Sequence, residues 1–173
     1  AEFIALDTTR NQPTGPKAPL YLPGGEQSKW LTEALARPPA PWRFVIMHHP
    51  MFTAGPRHKP FLLKAPHWMQ ALREGHVQAV FSGHEHNLQF SEQAEATGNM
   101  LFVVSGAGGE LRPESVTKRM RSRHIAAWGN QNHFLIVTIT GNQLSVEPIG
   151  VQPVFLRDSS EKPAPSTVRS RSK

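Results

Sequence analysis

Histidines follow two apolar runs of this chain, and they are the side chains best suited to chemistry. One run, residues 42–47, ends at His48. A second, residues 77–82, is followed closely by His84 and His86. Neutral imidazole is the commonest metal ligand in proteins, and ligand sites in open α/β sheets lie just beyond the carboxyl ends of the strands. This arrangement predicts a metal site at one edge of an α/β sheet.

The elements that must position these histidines follow from hydrophobic periodicity. Helices are predicted over residues 25–37 and 61–74, and a loop rich in proline over residues 10–24. A hairpin is predicted over residues 133–147, where Gly141-Asn142 separates two β-rich runs. The strands expected before the hairpin cover residues 3–7, 42–47, 77–82 and 100–105. The order strand–helix–strand–helix–strand, then antiparallel strands, predicts an α/β fold with a mixed sheet covered by helices.

Composition limits the other function classes. A chain of 173 residues can bury a core of its own. It has no cysteine, which excludes disulfides, thiolate zinc sites and cysteine nucleophiles. No run reaches the ~18 apolar residues that a membrane span needs, so we expect no membrane partner.

The last residues, 157–173, differ in composition from the rest of the chain. They hold five basic and two acidic residues, several serines and prolines, and few apolar side chains. Such a segment cannot bury enough surface to order itself, so a disordered basic tail is predicted after a domain at residues 1–156. Aromatic residues do not alternate with the basic ones, and no nucleic-acid-binding motif is visible, so nucleic acid is not an expected partner.

Three motifs in order carry a resemblance to a known family. They are Val45-Ile46-Met47-His48 with His49-Pro50, then Gly83-His84-Glu85-His86-Asn87-Leu88-Gln89, then Val103-Val104-Ser105-Gly106-Ala107-Gly108-Gly109. Together they resemble the carboxyl-terminal half of the calcineurin-like metallophosphoesterases, and within that family the purple and tartrate-resistant acid phosphatases. The resemblance covers roughly residues 2–150. It implies the carboxyl-terminal half of a β-sandwich flanked by helices.

The resemblance also implies an activity and a set of site residues. The family uses a binuclear metal centre of iron, zinc or manganese, whose bound hydroxide hydrolyses phosphate monoesters. Carried over to this chain, His48 and His84 bind one metal ion and His86 binds the second. By the same resemblance, His58 would be the catalytic residue that contacts the phosphate or protonates the leaving group. His49 occupies a variable position beside a ligand and is not counted.

The chain departs from the family in its missing amino-terminal motifs. It contains neither Asp-x-His nor Gly-Asn-His, and its only aspartates are Asp7 and Asp158. A bridging carboxylate holds two cations together against their repulsion, so we expect this chain to hold at most one metal ion well. Because residues 3–6 already form an expected strand, we interpret the chain as a fragment. Its partner would then be the missing amino-terminal half, and the isolated chain would be inactive.

The main alternative is a degenerate, non-catalytic module that keeps the fold and serves metal binding or protein interaction. A basic nucleic-acid binder, acting through residues 157–173, ranks below both readings. The glycine-rich surroundings of Ser105 suggest a nucleophile, but the sequence places no base or acid beside it, so we interpret it as the end of a strand. Glu85 is expected to tune the site or to face solvent. His67, His76, His124 and His133 are interpreted as ordinary histidines of helices, turns or loops.

Overall fold

The protein, as a computed structural model, is described for residues 1–9, 21–112 and 114–171. Most of the predicted loop at residues 10–24 lies outside these residues. The strands that they form are β1 (Glu2–Leu6), β2 (Arg43–Met47), β3 (Ala79–Ser82), β4 (Leu88–Ser91), β5 (Leu101–Ser105), β6 (Ile125–Gly129), β7 (Phe134–Thr140), β8 (Gln143–Ile149), β9 (Leu156–Arg157), β10 (Pro163–Ala164) and β11 (Val168–Arg171). The larger sheet has the order β1-β2-β3-β5-β4-β6-β9-β10, and the smaller has the order β11-β8-β7.

Four strands of the larger sheet are parallel, and they determine where a site can form. Strands β1, β2, β3 and β5 run in one direction, so their carboxyl ends lie along a single edge. The remaining strands of this sheet pair antiparallel. This confirms the predicted mixed α/β sheet, with the histidine segments that follow β2 and β3 on the same edge.

Two helices form the crossovers between the first three strands, as predicted. Helix α1 covers Glu26–Ala36 and helix α2 covers Pro66–Glu74, and their apolar sides, with Leu31 and Trp68, pack in one core with β2 and β3. The predicted helix at residues 61–74 is divided, because a 3₁₀ turn over Phe61–Leu63 precedes α2. Proline at the first position of α2 needs no hydrogen-bond donor there but cannot continue a helix from upstream.

The ends of both helices converge on Arg43, whose side chain is completely buried. Its Nη1 donates to the carbonyl oxygens of Leu35 at 2.9 Å and Gly75 at 2.7 Å, and its Nε donates to Glu2 Oε2 at 2.6 Å. The carbonyls at a helix end lack partners within the helix, and a cation is favoured there. Arg43, the first residue of β2, therefore connects this strand to the ends of α1 and α2.

The smaller sheet covers the opposite face of the larger one. Leu144 and Val146 of β8 pack with Phe44 and Leu101 in a second core. The predicted hairpin is confirmed as β7 and β8, which pair over seven residues each. No helix among the described residues, including the short α3 (Thr117–Met120), is long and apolar enough to cross a membrane.

The sequence patterns missed four strands of the larger sheet, namely β4 and β6, described next, and β9 and β10 at its edge. Strand β4 follows the second histidine segment and β6 lies in the polar stretch at residues 110–131, which had no assignment. All four residues of β4 are buried, including Gln89 and Ser91. The amide of Gln89 is satisfied internally, since its Oε1 accepts from Ala54 N at 2.8 Å and its Nε2 donates to Asn87 Oδ1 at 2.8 Å.

The structure differs from the predicted disordered tail over residues 157–171, the part of that segment that it describes. Strands β9 and β10 pair with each other at the edge of the larger sheet, and β11 pairs with β8 over four residues. Ser170 is buried in this pairing. Composition did not reveal this because the segment is held mainly by strand pairing, with only a few apolar side chains, such as Ala164 and Val168, against the second core. The assignment of residues 1–156 as one domain stays a prediction.

Candidate metal centre

The two histidine loops are tied to each other by their backbones. The N–H of Gly83 donates to the carbonyl of His48 at 3.1 Å, directly after β2 and β3 end. The chain then turns sharply, with Glu85 N donating to Gly83 O at 2.8 Å. Within this turn His84 has a φ of 67°, a left-handed conformation that is uncommon for residues other than glycine and is frequent at functional sites.

Gly106, which follows β5, holds this turn against the sheet. A Cβ atom at position 106 would lie 2.1 Å from the carbonyl oxygen of Glu85, so only glycine allows the two segments to approach this closely. The N–H of Gly106 also donates to the carbonyl of Asn87 at 3.1 Å. The histidine turn is therefore fixed on both sides by backbone contacts.

Three imidazoles converge at this edge. His48, His49 and His84 each offer a ring nitrogen, and these three atoms all lie within 4.8 Å of one another. The Nε2 of His48 is 3.0 Å from Nδ1 of His84. Among the described residues no aspartate or glutamate joins this nitrogen cluster. His49 was left out of the predicted ligands; the doubled histidine before Pro50 is the sequence signal that would have found it.

Burial favours the neutral form of two of these rings, those of His84 and His49. It is the largest cause that lowers the pKa of His84, to about 4, and the neighbouring imidazoles of His58, His49 and His48 lower it further. Burial and His48 also lower the pKa of His49. A neutral imidazole has a lone pair to give to a cation, and a set of three imidazole nitrogens matches the donor set of an open zinc-type site. The residues present therefore fit a metal ion.

His86 lies outside the nitrogen cluster. Its Nδ1 is 3.2 Å from Glu110 Oε2, within ion-pair distance, although the pair does not meet hydrogen-bond geometry. The carboxylate of Glu110 is largely exposed. The structure thus brings two of the three predicted ligands, His48 and His84, to one point and places the third beside a carboxylate.

His58 lies against the cluster, and Glu85 holds it there. The ring centroids of His58 and His84 are 3.9 Å apart. The Glu85 side chain is 1% exposed, and its Oε1 accepts from the backbone N–H of His58 at 3.1 Å and lies 3.1 Å from Nδ1 of the same ring. Of the two expectations for Glu85, facing solvent is wrong because its side chain is buried, and tuning the site stays a prediction. Glu85 lies beneath the loop that carries His58, packed against Gly55.

The structure also gives Ser105 a partner that the sequence did not place. Its Oγ is 3.0 Å from Nε2 of His133, and Nδ1 of His133 is 2.8 Å from the carbonyl oxygen of Gln131. Because a carbonyl can only accept, Nδ1 carries the proton and the serine hydroxyl donates to Nε2. This pair joins the end of β5 to the start of β7, and so connects the two sheets.

His133 makes the stability of the chain sensitive to acid. Burial lowers its pKa below the ordinary value of 6.5. As the pH falls below 6.5 the unfolded chain therefore takes up more protons than the folded chain, and the free energy of unfolding decreases. We expect His133→Gln, which cannot titrate, to lose less stability than the wild type between pH 7.5 and pH 5 in urea unfolding. Equal losses in the two proteins would contradict this account.

Comparisons with known proteins show a similarity to one family of phosphoesterases. The model of the family described as calcineurin-like phosphoesterase matches residues 6–88. Tartrate-resistant acid phosphatase type 5 of Sus scrofa is 28% identical over 125 residues, which make up 69% of this chain and 36% of that protein.

Solved structures extend the likeness to nearly the whole chain. The structure of GAP50, the anchor in the inner membrane complex of Plasmodium, matches with a TM-score of 0.66 at 17% sequence identity. The match covers 99% of this chain and 49% of the GAP50 chain. The structure of purple acid phosphatase PPD1 from yellow lupin (Lupinus luteus) seeds matches with a TM-score of 0.61 at 15% sequence identity. The match covers 96% of this chain and 30% of the PPD1 chain. The fold is thus that of the metallophosphoesterases.

More particularly, the chain resembles the calcineurin-like phosphoesterases and their purple acid phosphatase branch, as the motifs indicated. It spans between 30% and 49% of the lengths of these three proteins.

Proposed function

We propose that this chain is part of a metal-dependent phosphoesterase that hydrolyses phosphate monoesters, as acid phosphatases do. The observation that carries the proposal is the meeting of His48 and His84 at the carboxyl ends of two parallel strands, with their nitrogens 3.0 Å apart. The family model and the similarity to the pig acid phosphatase support the same reaction class.

In this proposal the ligands are divided between two metal positions. His48 and His84 hold one ion, and His86, with Glu110 beside it, holds the second in the complete enzyme. Metal ions in such a pair lower the pKa of bound water and neutralise charge on the phosphate. Nitrogen donors suit iron, zinc and manganese alike, so the donor set does not select the metal.

His58 supplies the proton in this proposal. Glu85 accepts from the backbone and engages Nδ1 of the ring, which leaves Nε2 for the substrate. A histidine held in this way can contact the phosphate or donate a proton to the departing alkoxide. The hydrogen bonds of Gln89 to Asn87 and Ala54 connect the same loop to β4.

The proposal is tested by metal content and phosphate binding together. We expect the purified chain to hold at most one ion of zinc, iron or manganese, because no carboxylate among the described residues joins the nitrogen cluster. Inorganic phosphate should bind only to the metal-loaded chain in calorimetry, and hydrolysis of p-nitrophenyl phosphate should be slow.

The double variant His84→Asn His86→Asn should lose both the metal and the phosphate binding, whereas His76→Asn, at a remote exposed histidine, should keep both. Phosphate binding that survives in the double variant would contradict the proposed site. If the wild-type chain instead holds two metal ions tightly and hydrolyses p-nitrophenyl phosphate rapidly, binding of the second ion needs no further carboxylate.

Glu85→Gln tests the role of Glu85 in positioning His58. A carboxylate only accepts, so it favours the tautomer with the proton on Nδ1, whereas an amide can also donate. We expect ¹⁵N NMR of the His58 ring to show that the proton moves toward Nε2 in the variant, while the bound metal is retained. Hydrolysis should decrease about 10-fold, a part of the 10²–10⁴-fold that a positioned acid contributes. An unchanged tautomer would exclude this role.

A non-catalytic interaction module is the second candidate. The all-histidine donor set of the cluster favours it, since nothing among the described residues bridges two ions there. GAP50 of Plasmodium, which has a similar fold, is described as an anchor. Phosphate binding that is independent of metal, or absent with metal bound, would favour this candidate over the enzyme.

A further inference from the structure

We propose that Ser105 and His133 form a second reactive site of this chain, in which the serine hydroxyl takes up the acyl group of a small carboxylic ester. This activity is separate from the proposed phosphoesterase function and needs no metal ion. The glycine-rich sequence around Ser105 suggests a nucleophile but places no base beside it. The structure supplies that base from the start of β7.

The two side chains have the geometry of an activated serine. Ser105 Oγ lies 3.0 Å from Nε2 of His133, and Nδ1 of the same ring lies 2.8 Å from the carbonyl oxygen of Gln131. Because this carbonyl can only accept, the proton is on Nδ1 and the lone pair of Nε2 faces the hydroxyl. A nucleophile within hydrogen-bond reach of a base, which a third group orients, is the arrangement that activates serine in hydrolases.

His133 is shielded from solvent, whereas Ser105 is not fully covered. His133 is 6% exposed, and its backbone N–H donates to the carbonyl of Ala107 at 3.3 Å. Burial lowers the pKa of the His133 ring below the ordinary value of 6.5, so the ring is neutral near pH 7 and can accept a proton. Ser105 is half-buried, which leaves its hydroxyl within reach of a small ester.

The glycine loop after Ser105 offers space and hydrogen-bond donors. The carbonyls of Ala107 and Gly109 accept from Nδ2 of Asn132 at 3.1 and 2.9 Å, which fixes the loop. A Cβ atom at Gly108 or Gly109 would meet nothing within 4 Å. No described backbone carbonyl accepts from the N–H groups of these two glycines, so they are left as donors for the carbonyl oxygen of a bound ester.

The charge around the pair favours an acyl group over a phosphoryl group. Phosphoryl transfer depends on cations that neutralise the phosphate oxygens, whereas acyl transfer depends on a base and on N–H donors. Among the described residues no lysine or arginine forms a hydrogen bond or an ion pair with Ser105 or His133. An uncharged ester is therefore the substrate that the pair suits.

The reaction balances without a metal ion or a redox partner. The bond between Ser105 Oγ and the acyl carbon forms, the bond between that carbon and the leaving oxygen breaks, and the hydroxyl proton passes through Nε2 of His133 to the departing alcohol. Water then adds to the acyl carbon and gives one proton to Nε2, and this proton returns to Oγ as the carboxylic acid leaves. The carbonyl of Gln131 is uncharged and stabilises the protonated ring less than a carboxylate does, so we expect slow turnover.

The experiment is covalent labelling of the full chain with an uncharged alkyl fluorophosphonate in the presence of EDTA. Oγ bonds to phosphorus, fluoride leaves, and His133 takes up the hydroxyl proton. We expect one label per chain, located on Ser105 by peptide mass spectrometry. His133→Gln can still hydrogen-bond to the hydroxyl but cannot take its proton, so its labelling should be at least about 100-fold slower, the lower end of the effect of a general base. Hydrolysis of p-nitrophenyl acetate should decrease in the same proportion.

Ser82→Ala is the matched control. Ser82 ends the neighbouring strand β3, and its hydroxyl donates to the carbonyl of Val103 at 3.0 Å rather than to a histidine. This variant should be labelled at the wild-type rate, whereas Ser105→Ala should not be labelled. Circular dichroism checks that the variants are folded, and the position of the label in the wild type does not depend on any variant.

Three results would overturn this inference. They are a wild-type chain without a label on Ser105, equal labelling rates in the wild type and His133→Gln, and ester hydrolysis that appears only when zinc is added. The last result would assign the hydrolysis to the histidine cluster. Because the labelling is done without metal, a failure of metal binding would contradict the proposed function and leave this inference standing.

Discussion

Replacement of His84 by asparagine is expected to lower the affinity for zinc or cobalt more than about 100-fold, beyond what the loss of a supporting partner costs. His84 is central to the cluster, since its ring lies 4.8 Å from that of His48, 4.3 Å from that of His49 and 3.9 Å from that of His58. Asparagine tolerates the left-handed φ of 67° better than most residues, so the fold should survive.

His76→Asn is the matched control for this prediction. His76 is exposed and also has a positive φ, of 54°, so the same substitution there changes the backbone preference without touching the cluster. Isothermal titration calorimetry measures the zinc affinity of both variants, and circular dichroism checks that both are folded. If the His84→Asn protein binds zinc with the affinity of the wild type, the cluster is not a metal site.

Arg43→Met is expected to lower the free energy of unfolding by about 3–5 kcal/mol, the range found when one partner of a buried ion pair is removed. The guanidinium is completely buried and satisfies the carbonyls of Leu35 and Gly75 together with the carboxylate of Glu2. Methionine fills much of the volume but leaves these acceptors without a donor, and each unsatisfied buried group costs about 1–3 kcal/mol.

Arg37→Met is the control, because Arg37 pairs with the same carboxylate at 3.5 Å but its side chain is 63% exposed. Exposed pairs contribute at most about 1 kcal/mol. Urea unfolding of both variants measures the difference. Similar losses in the two proteins would show that Arg43 does not join the helix ends in the way described.

The parallel part of the fold could be predicted from sequence because its signals are local. Apolar runs bounded by proline and glycine define β2, β3 and β5, and the apolar face of residues 25–37 defines α1. Strand β4 escaped detection because Gln89 is polar yet buried, and its hydrogen-bond partners come from a loop distant in sequence. Strand β11 escaped because it depends on pairing with the open edge of β8, and a single apolar side chain, Val168, packed against the second core is too weak a sequence signal.

The site was predictable where it depends on strand ends and unpredictable where it depends on loop conformation. His48 and His84 meet because parallel neighbours end at one edge. His49 joins them only because the chain bends after β2, and His86 is separated from them by the turn at Glu85. The contact between Ser105 and His133 needs the packing of two sheets, which local patterns do not contain.

The tight fit at Gly106 has a consequence for the rate at which a cation is captured. The turn that carries His84 is already ordered against the end of β5, so an arriving ion does not have to freeze a mobile segment. If the proposed site holds a metal ion, little chain entropy would then be lost, as in other preorganised sites, and capture would depend on how quickly the ion sheds its water shell.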